Sequence, residues 1–187
     1  MSELAKPCPI LQLTSEEIQG FQYTPPEEIT SFLTDFGYGP TKKLIDAYYL
    51  SPDKSVGVGV LQVKEETCLD HFGILRGVDT IESIAQAYVL YLYKTGIVSI
   101  GRPLFAGIEN AEFGKIATPG AILNTVVQRT KSPEGEFSAH GWVLRSRTLI
   151  TEADISGVIA GGNNMESLKK RAASLQTREQ PIFPLKR

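Results

Sequence analysis

Asp70-His71-Phe72-Gly73-Ile74-Leu75-Arg76-Gly77-Val78-Asp79-Thr80-Ile81-Glu82-Ser83-Ile84-Ala85-Gln86-Ala87 decides how the whole chain is read. A histidine stands ahead of a glycine turn, and a carboxylate, Glu82, stands one to two turns into an apolar run. In that run Val78, Ile81, Ile84, Ala85, Tyr88 and Leu92 recur at i, i+3, i+4 spacing, which predicts a helix over roughly Val78 to Tyr93. Its other face (Ala87, Val89, Leu90, Tyr91) is hardly polar, and a helix apolar nearly all round is buried. Asp79 or Thr80 is placed to cap the start and Gly96 to end it. Glu82 asks for an explanation, because a carboxylate among apolar groups is costly unless it is paired or protonated.

Strand signals lie on both sides of this helix. Upstream, Leu44-Ile45-Asp46-Ala47-Tyr48-Tyr49-Leu50 runs into the turn Ser51-Pro52-Asp53-Lys54, and Val56 to Val63 follows with glycines between valines, a hairpin-like pattern. Gly57 and Gly59 are no phosphate loop, since no Gly-Lys-Ser/Thr follows them. Before the hairpin, Thr24-Pro25-Pro26-Glu27-Glu28 reads as a helix start, Ile29, Phe32, Leu33 and Phe36 as its apolar stripe, and Gly37 and Gly39 as its end. Downstream, strands are expected at Leu104 to Glu112, Ile122 to Lys131, Gly135 to Arg147 and, shorter, near Ile155 to Ala160. Thr118-Pro119-Gly120 and Ser132-Pro133-Glu134-Gly135 supply the turns. The pattern predicts an α+β domain, an antiparallel sheet wrapped around a long buried central helix. It divides the chain into an N-terminal arm (1–25), the domain (26–161) and a basic C-terminal tail (162–187) in which Met165 to Leu175 reads as helical.

Composition restricts the function classes. Net charge is −2, which argues against nucleic acid as the main partner. The two cysteines, Cys8 and Cys68, make no disulfide framework and suit a reducing, cytoplasmic setting. The N-terminus lacks the basic-then-apolar pattern of a signal peptide, and no apolar run approaches the ~20 residues of a membrane span. Cys68 and His71 form a single Cys-x-x-His without further ligands, so no metal and no cofactor is expected. His140, between Ala139 and Gly141, reads as a surface or sheet residue; Tyr88, Tyr91, Leu92 and Trp142 read as core more readily than as a tunnel wall.

The order helix, hairpin, buried helix, meander resembles the hotdog fold. The motif is similar to that of the β-hydroxyacyl-acyl-carrier-protein dehydratases of fatty-acid synthesis, in which a His-Phe-Pro-Gly turn precedes Met-Pro-Gly-Val and a helix carrying the acid and Ala-Gln-Ala. His71-Phe72 matches its start, Gly77-Val78 the helix entry, and Ile81 to Ala87 the helix. Weaker echoes in register are Leu44-Ile45-Asp46-Ala47, Gly107 to Phe113 and Thr118-Pro119-Gly120, so the resemblance spans 27–160. The proline and glycine after His-Phe and the proline before the helix glycine are absent. The turn is shorter, Asp70 replaces a glycine, and Ala121 stands where an acid is common.

The resemblance implies removal of water from a (3R)-hydroxyacyl thioester to give the trans-2-enoyl thioester. His71 is then the base for the C2 proton, and Glu82 protonates or orients the C3 hydroxyl. Backbone N–H groups of Gly73, Gly77 and Val78 polarise the thioester carbonyl. It also implies a homodimer or higher homo-oligomer, with His71 of one subunit meeting the acid of the other, and an acyl carrier protein as partner. Lys169, Lys170, Arg171, Arg178, Lys186 and Arg187 could offer that acidic partner a basic surface, though a solvated helix face explains them more readily. Taken alone, a histidine before a helix and a glutamate on one are ordinary structural residues, and Gly73 and Gly77 ordinary turn glycines. Two other readings stay open: a hotdog thioesterase in which Glu82 activates water without His71, and an acyl-binding relative without catalysis.

Overall fold

The computed structural model of the protein describes residue 18 and residues 20–39, 42–99, 101–133 and 135–160; the basic tail and most of the expected arm lie outside the described residues. In chain order the elements are β1 (Gln22–Thr24), α1 (Pro26–Asp35), β2 (Ala47–Leu50), β3 (Val56–Gln62), α2 (Gly77–Lys94), β4 (Arg102–Phe113), β5 (Ile122–Arg129), β6 (Glu136–Arg145) and β7 (Thr148–Ala160). The strands form one antiparallel sheet in the order β1-β2-β3-β5-β6-β7-β4, and α2 packs across one face of it. This is the expected α+β arrangement, a sheet curled around one long helix.

The sheet alternates faces with the strand period of two. Facing α2 are Leu61, Leu123, Val127, Phe137, Val143 and Ile155, in one core with Ile84, Tyr88, Leu90 and Leu92. Each such side chain, removed from water, contributes about 1.5–3 kcal/mol. Hydroxyls in the same layer are paired: Thr80 Oγ1 lies 2.6 Å from Thr151 Oγ1, Ser83 Oγ 3.0 Å from Thr125 Oγ1, and the Tyr88 hydroxyl donates to Ser138 O at 3.1 Å. Buried polar groups persist when satisfied in this way. On the opposite face a second apolar cluster runs across the strands through Val58, Val126 and Trp142, with Tyr49 and Phe21 packed against it.

Glycines permit the closest approaches. A Cβ on Gly141 would enter Ile84 of α2, and Cβ atoms on Gly57 and Gly59 would collide with the Tyr48 hydroxyl and the Ile45 side chain. The alternating glycines of β3 therefore make room for Tyr48 of β2 and for Ile45, just before that strand.

The structure departs from the sequence reading in three places. Gln22–Thr24, inside the expected arm, pairs with β2 as an edge strand, and β2 starts at Ala47 rather than Leu44. The last strand begins at Thr148, well before Ile155. No glycine marks its start, since Ser146 makes the turn at φ 55°, and Glu152 and Asp154 break its apolar pattern by sitting on the outer face opposite Trp142 and His140. There His140 Nδ1 lies 2.6 Å from Asp154 Oδ1, and Nε2 lies 2.9 Å from Glu152 Oε1. Finally, Asp79 and Thr80 do not cap α2: the N-cap is Arg76, whose guanidinium grips Asp79 at 2.7 and 2.6 Å, and Thr80 donates back to Gly77 O at 2.6 Å.

Gly57→Ala should lower unfolding free energy by about 1–3 kcal/mol, the usual cost of overpacking a core. Tyr48→Phe in that background removes the oxygen that Cβ meets and should recover part of the loss; urea denaturation of both variants checks this.

Candidate functional site

The segment between β3 and α2 places His71. A single 3-10 turn, Glu65–Thr67, leads into stacked turns in which Cys68 O accepts from the N–H groups of His71 at 3.1 Å and Gly73 at 3.2 Å, and His71 O accepts from Ile74 at 3.0 Å. Phe72 (φ 54°) and Gly73 (φ 74°) are both left-handed, so the chain reverses there without the Pro-Gly of the resembled motif. Buried Cys68 and Leu75 pin the ends, and the Leu75 N–H donates to Ala117 O at 2.9 Å. The Thr118-Pro119-Gly120 turn is tied to the end of β3 through Gly120 N–H to Val63 O and Val63 N–H to Ala121 O, both 2.8 Å. His71 itself is half-buried.

The Gly73 N–H, expected as a donor to a substrate carbonyl, is already engaged by Cys68 O. The Gly77 and Val78 N–H groups, by contrast, open α2 ahead of its first intrahelical bond, with no side-chain cap. Gly77 is also needed for packing, because a Cβ there would stand 2.7 Å from the Phe113 ring.

From Asp79 to Leu92, α2 is buried everywhere except at Ile81 and Glu82. With the exposed Val78 one turn earlier, the half-buried Ile81 and Glu82 form a partly open apolar strip that carries a carboxylate. Glu82 is not isolated. Gln86, one turn on, donates from Nε2 to Glu82 Oε1 at 3.2 Å, and the Tyr38 phenol lies near enough to feel the charge of Glu82. Gln86 is wholly buried and grips the loop before β2 as well, donating to Lys42 O at 2.6 Å and accepting from the Leu44 N–H at 2.8 Å. Burial, then the nearby charge of Glu82, hold the Tyr38 phenol well above its ordinary pKa, so it stays protonated. The expected cost of Glu82 among apolar groups is thus met by pairing.

Gln86 stands in the opening motif, and its i, i+4 spacing from Glu82 is a signal that could have revealed its role. Tyr38 carries no such signal; only the fold brings it to α2. Tyr88, Tyr91 and Leu92 are core, and Trp142 belongs to the outer cluster.

The surroundings of the strip are apolar and open. Leu69, Phe72 and Phe113 are exposed, Phe72 at 98%. Strand β4, of which Phe113 is the last residue, pairs with β7 along one side only and ends the sheet.

No protein-family model matches the sequence. It is 31% identical over 103 residues to 3-hydroxyacyl-(acyl-carrier-protein) dehydratase FabZ of Erythrobacter litoralis (strain HTCC2594), a match covering 52% of this chain and 68% of that one. Among solved structures, the dehydratase heterocomplex ApeI:P from Xenorhabdus doucetiae superposes with a TM-score of 0.61 at 14% identity, covering 79% of this chain and 99% of that chain. The Thermus thermophilus thioesterase superfamily member TTHA0967 superposes at 0.51 with 15% identity, over 66% and 94% of the two chains. At such identities these two are likenesses of fold, and the fold is the hotdog. With that fold, and with close to a third of its residues shared along two-thirds of a FabZ, the chain belongs to the hotdog-fold 3-hydroxyacyl-(acyl-carrier-protein) dehydratase family as a divergent member.

Proposed function

We propose that the protein is a 3-hydroxyacyl thioester dehydratase working as a homodimer, with acyl carrier protein as the carrier of its substrate and no cofactor. The carrying observation is that α2, buried elsewhere from Asp79 to Leu92, leaves partly open there an apolar strip bearing a hydrogen-bonded glutamate. An exposed apolar rim at Leu69, Phe72 and Phe113 and an unpaired edge strand ask to be covered. A second copy brought against β4 would cover them and exclude water from the carboxylate.

In this reading the substrate's thioester carbonyl lies against the N–H groups of Gly77 and Val78, where the helix dipole favours developing negative charge. His71 of one subunit takes the C2 proton and the C2–H electron pair forms the double bond. The C3–O bond breaks, and the hydroxyl departs as water with a proton from Glu82 of the other subunit. Proton return from the His71 imidazolium to Glu82 resets the site. The charge balance and the match to a FabZ fit a cytoplasmic role in fatty-acid or related synthesis.

His71→Ala and Glu82→Gln should each lower kcat/KM for a (3R)-hydroxyacyl-carrier protein by about 10²–10⁴, the usual share of a positioned acid or base. Mass spectrometry of the acyl product distinguishes loss of water from release of free acid, and the latter would replace this reading with a thioesterase. Refolding the two inactive variants together at equal amounts should restore about a quarter of wild-type activity, because half the dimers are hybrids and each hybrid has one intact site. No recovery would mean that His71 and Glu82 act within one subunit or not at all. Ile108→Arg, on the exposed edge strand, should shift the protein toward monomer in analytical ultracentrifugation and remove turnover while the fold remains.

A further inference from the structure

The first turn of α2 holds a charged pair that the chemistry above does not use. Arg76, the N-cap residue, and Asp79, three residues on, form a fork: Nε donates to Asp79 Oδ2 at 2.7 Å and Nη2 to Asp79 Oδ1 at 2.6 Å. Both carboxylate oxygens are engaged at once, the arrangement in which a guanidinium holds an acid most firmly. The acid is the covered partner, its side chain 11% exposed against 36% for Arg76. The Arg76 carbonyl also accepts from the N–H groups of Asp79 at 3.0 Å and Thr80 at 3.3 Å, so one residue ties both the backbone of the turn and its carboxylate.

A carboxylate in the first turn of a helix is drawn to the unbonded N–H groups there, which form the positive end of the helix dipole. Helical side chains lean toward the N-terminus, so an acid three residues past the N-cap reaches back over those groups. No side chain caps α2, although Asp79 stands in its first turn; the guanidinium holds it instead. We propose that Arg76 is a positioning residue that keeps Asp79 off the start of α2, leaving the N–H groups of Gly77 and Val78 open and electropositive. This rests on the dehydratase reading above, in which a thioester carbonyl lies against those two amides. Unpaired, the Asp79 carboxylate sets a negative charge beside the point where negative charge develops as the C2 proton leaves, opposing what the amides supply. Paired, it is neutralised and immobile. The two partners are therefore not equivalent. In a purely structural clamp, loss of either residue breaks the pair with the same result. Here Asp79 without Arg76 is harmful, whereas Arg76 without Asp79 is harmless.

Arg76→Met keeps the side-chain length and removes the charge. It should lower kcat for a (3R)-hydroxyacyl-carrier protein by about ten- to a hundredfold, below the ~10²–10³ lost with a whole carbonyl-binding donor. Asp79→Ala should stay within about threefold of wild type, and Arg76→Met with Asp79→Ala should return to that level, a non-additivity expected only of coupled neighbours. Equal impairment of the two single variants, or a double variant as slow as Arg76→Met, overturns the proposal. Should Arg76→Met fail to fold, Arg76→Lys and Arg76→Gln make the same comparison: lysine keeps a cation beside the acid and most of the rate, glutamine loses it, and equal rates count against the proposal. Amide hydrogen exchange followed by NMR reads the effect without turnover. The Gly77 and Val78 amides should exchange about threefold or more slowly in Arg76→Met than in wild type, and at the wild-type rate again in the double variant. Unchanged exchange in Arg76→Met overturns the proposal. If the wild-type protein does not dehydrate hydroxyacyl thioesters, the assigned reaction fails, while the exchange pattern still decides what Arg76 does.

Discussion

A helix buried on nearly every side must find partners for every polar group it carries, and this constraint organises the molecule. Thr80, Ser83 and Tyr88 bond to the sheet, Gln86 bonds to the loop before β2, and apolar residues fill the space between them. Since unpaired buried polar groups cost about 1–3 kcal/mol each, these ties restrict the rotation of α2 about its axis as well as its position. Ile81 and Glu82 are what this rotation leaves uncovered. The open strip is the remainder of a packing problem solved elsewhere on the helix.

The loop preceding α2 solves a related problem with other residues than its family uses. Consecutive left-handed residues at Phe72 and Gly73 and a shared acceptor at Cys68 O replace a proline-glycine turn. A shorter loop has fewer ways to hold an imidazole, and this one anchors both ends in the core at Cys68 and Leu75. One consequence is that the Gly73 amide serves the loop, while the N–H groups of Gly77 and Val78 stay free at the first turn of α2.

The apolar periodicity of Val78 to Leu92 announced the central helix, and the alternation of β3, β5 and β6 announced the sheet, because both follow directly from backbone geometry. The first half of β7 was hidden, since its acids alternate with Thr151 and Ala153 on a face whose outer partners, His140 and Trp142, belong to another strand. The capping of α2 was misjudged for a local reason: Arg76, one residue outside the helix, captured Asp79, the side chain expected to cap. The pairing of Glu82 was half legible. Gln86 lies at helical contact spacing in the motif itself, whereas Tyr38 is forty-four residues away and comes near Glu82 only through the fold.

By itself, then, the order of residues determined most of the elements, the burial of α2 and the candidate histidine and carboxylate, since these depend on local periodicity and on a short contiguous motif. Tertiary structure alone decided which side of α2 stays open, which amides remain free, and which groups reach the carboxylate. Those outcomes depend on contacts between segments far apart along the chain, and hydrophobic spacing within a segment carries no information about what a distant loop will place against it.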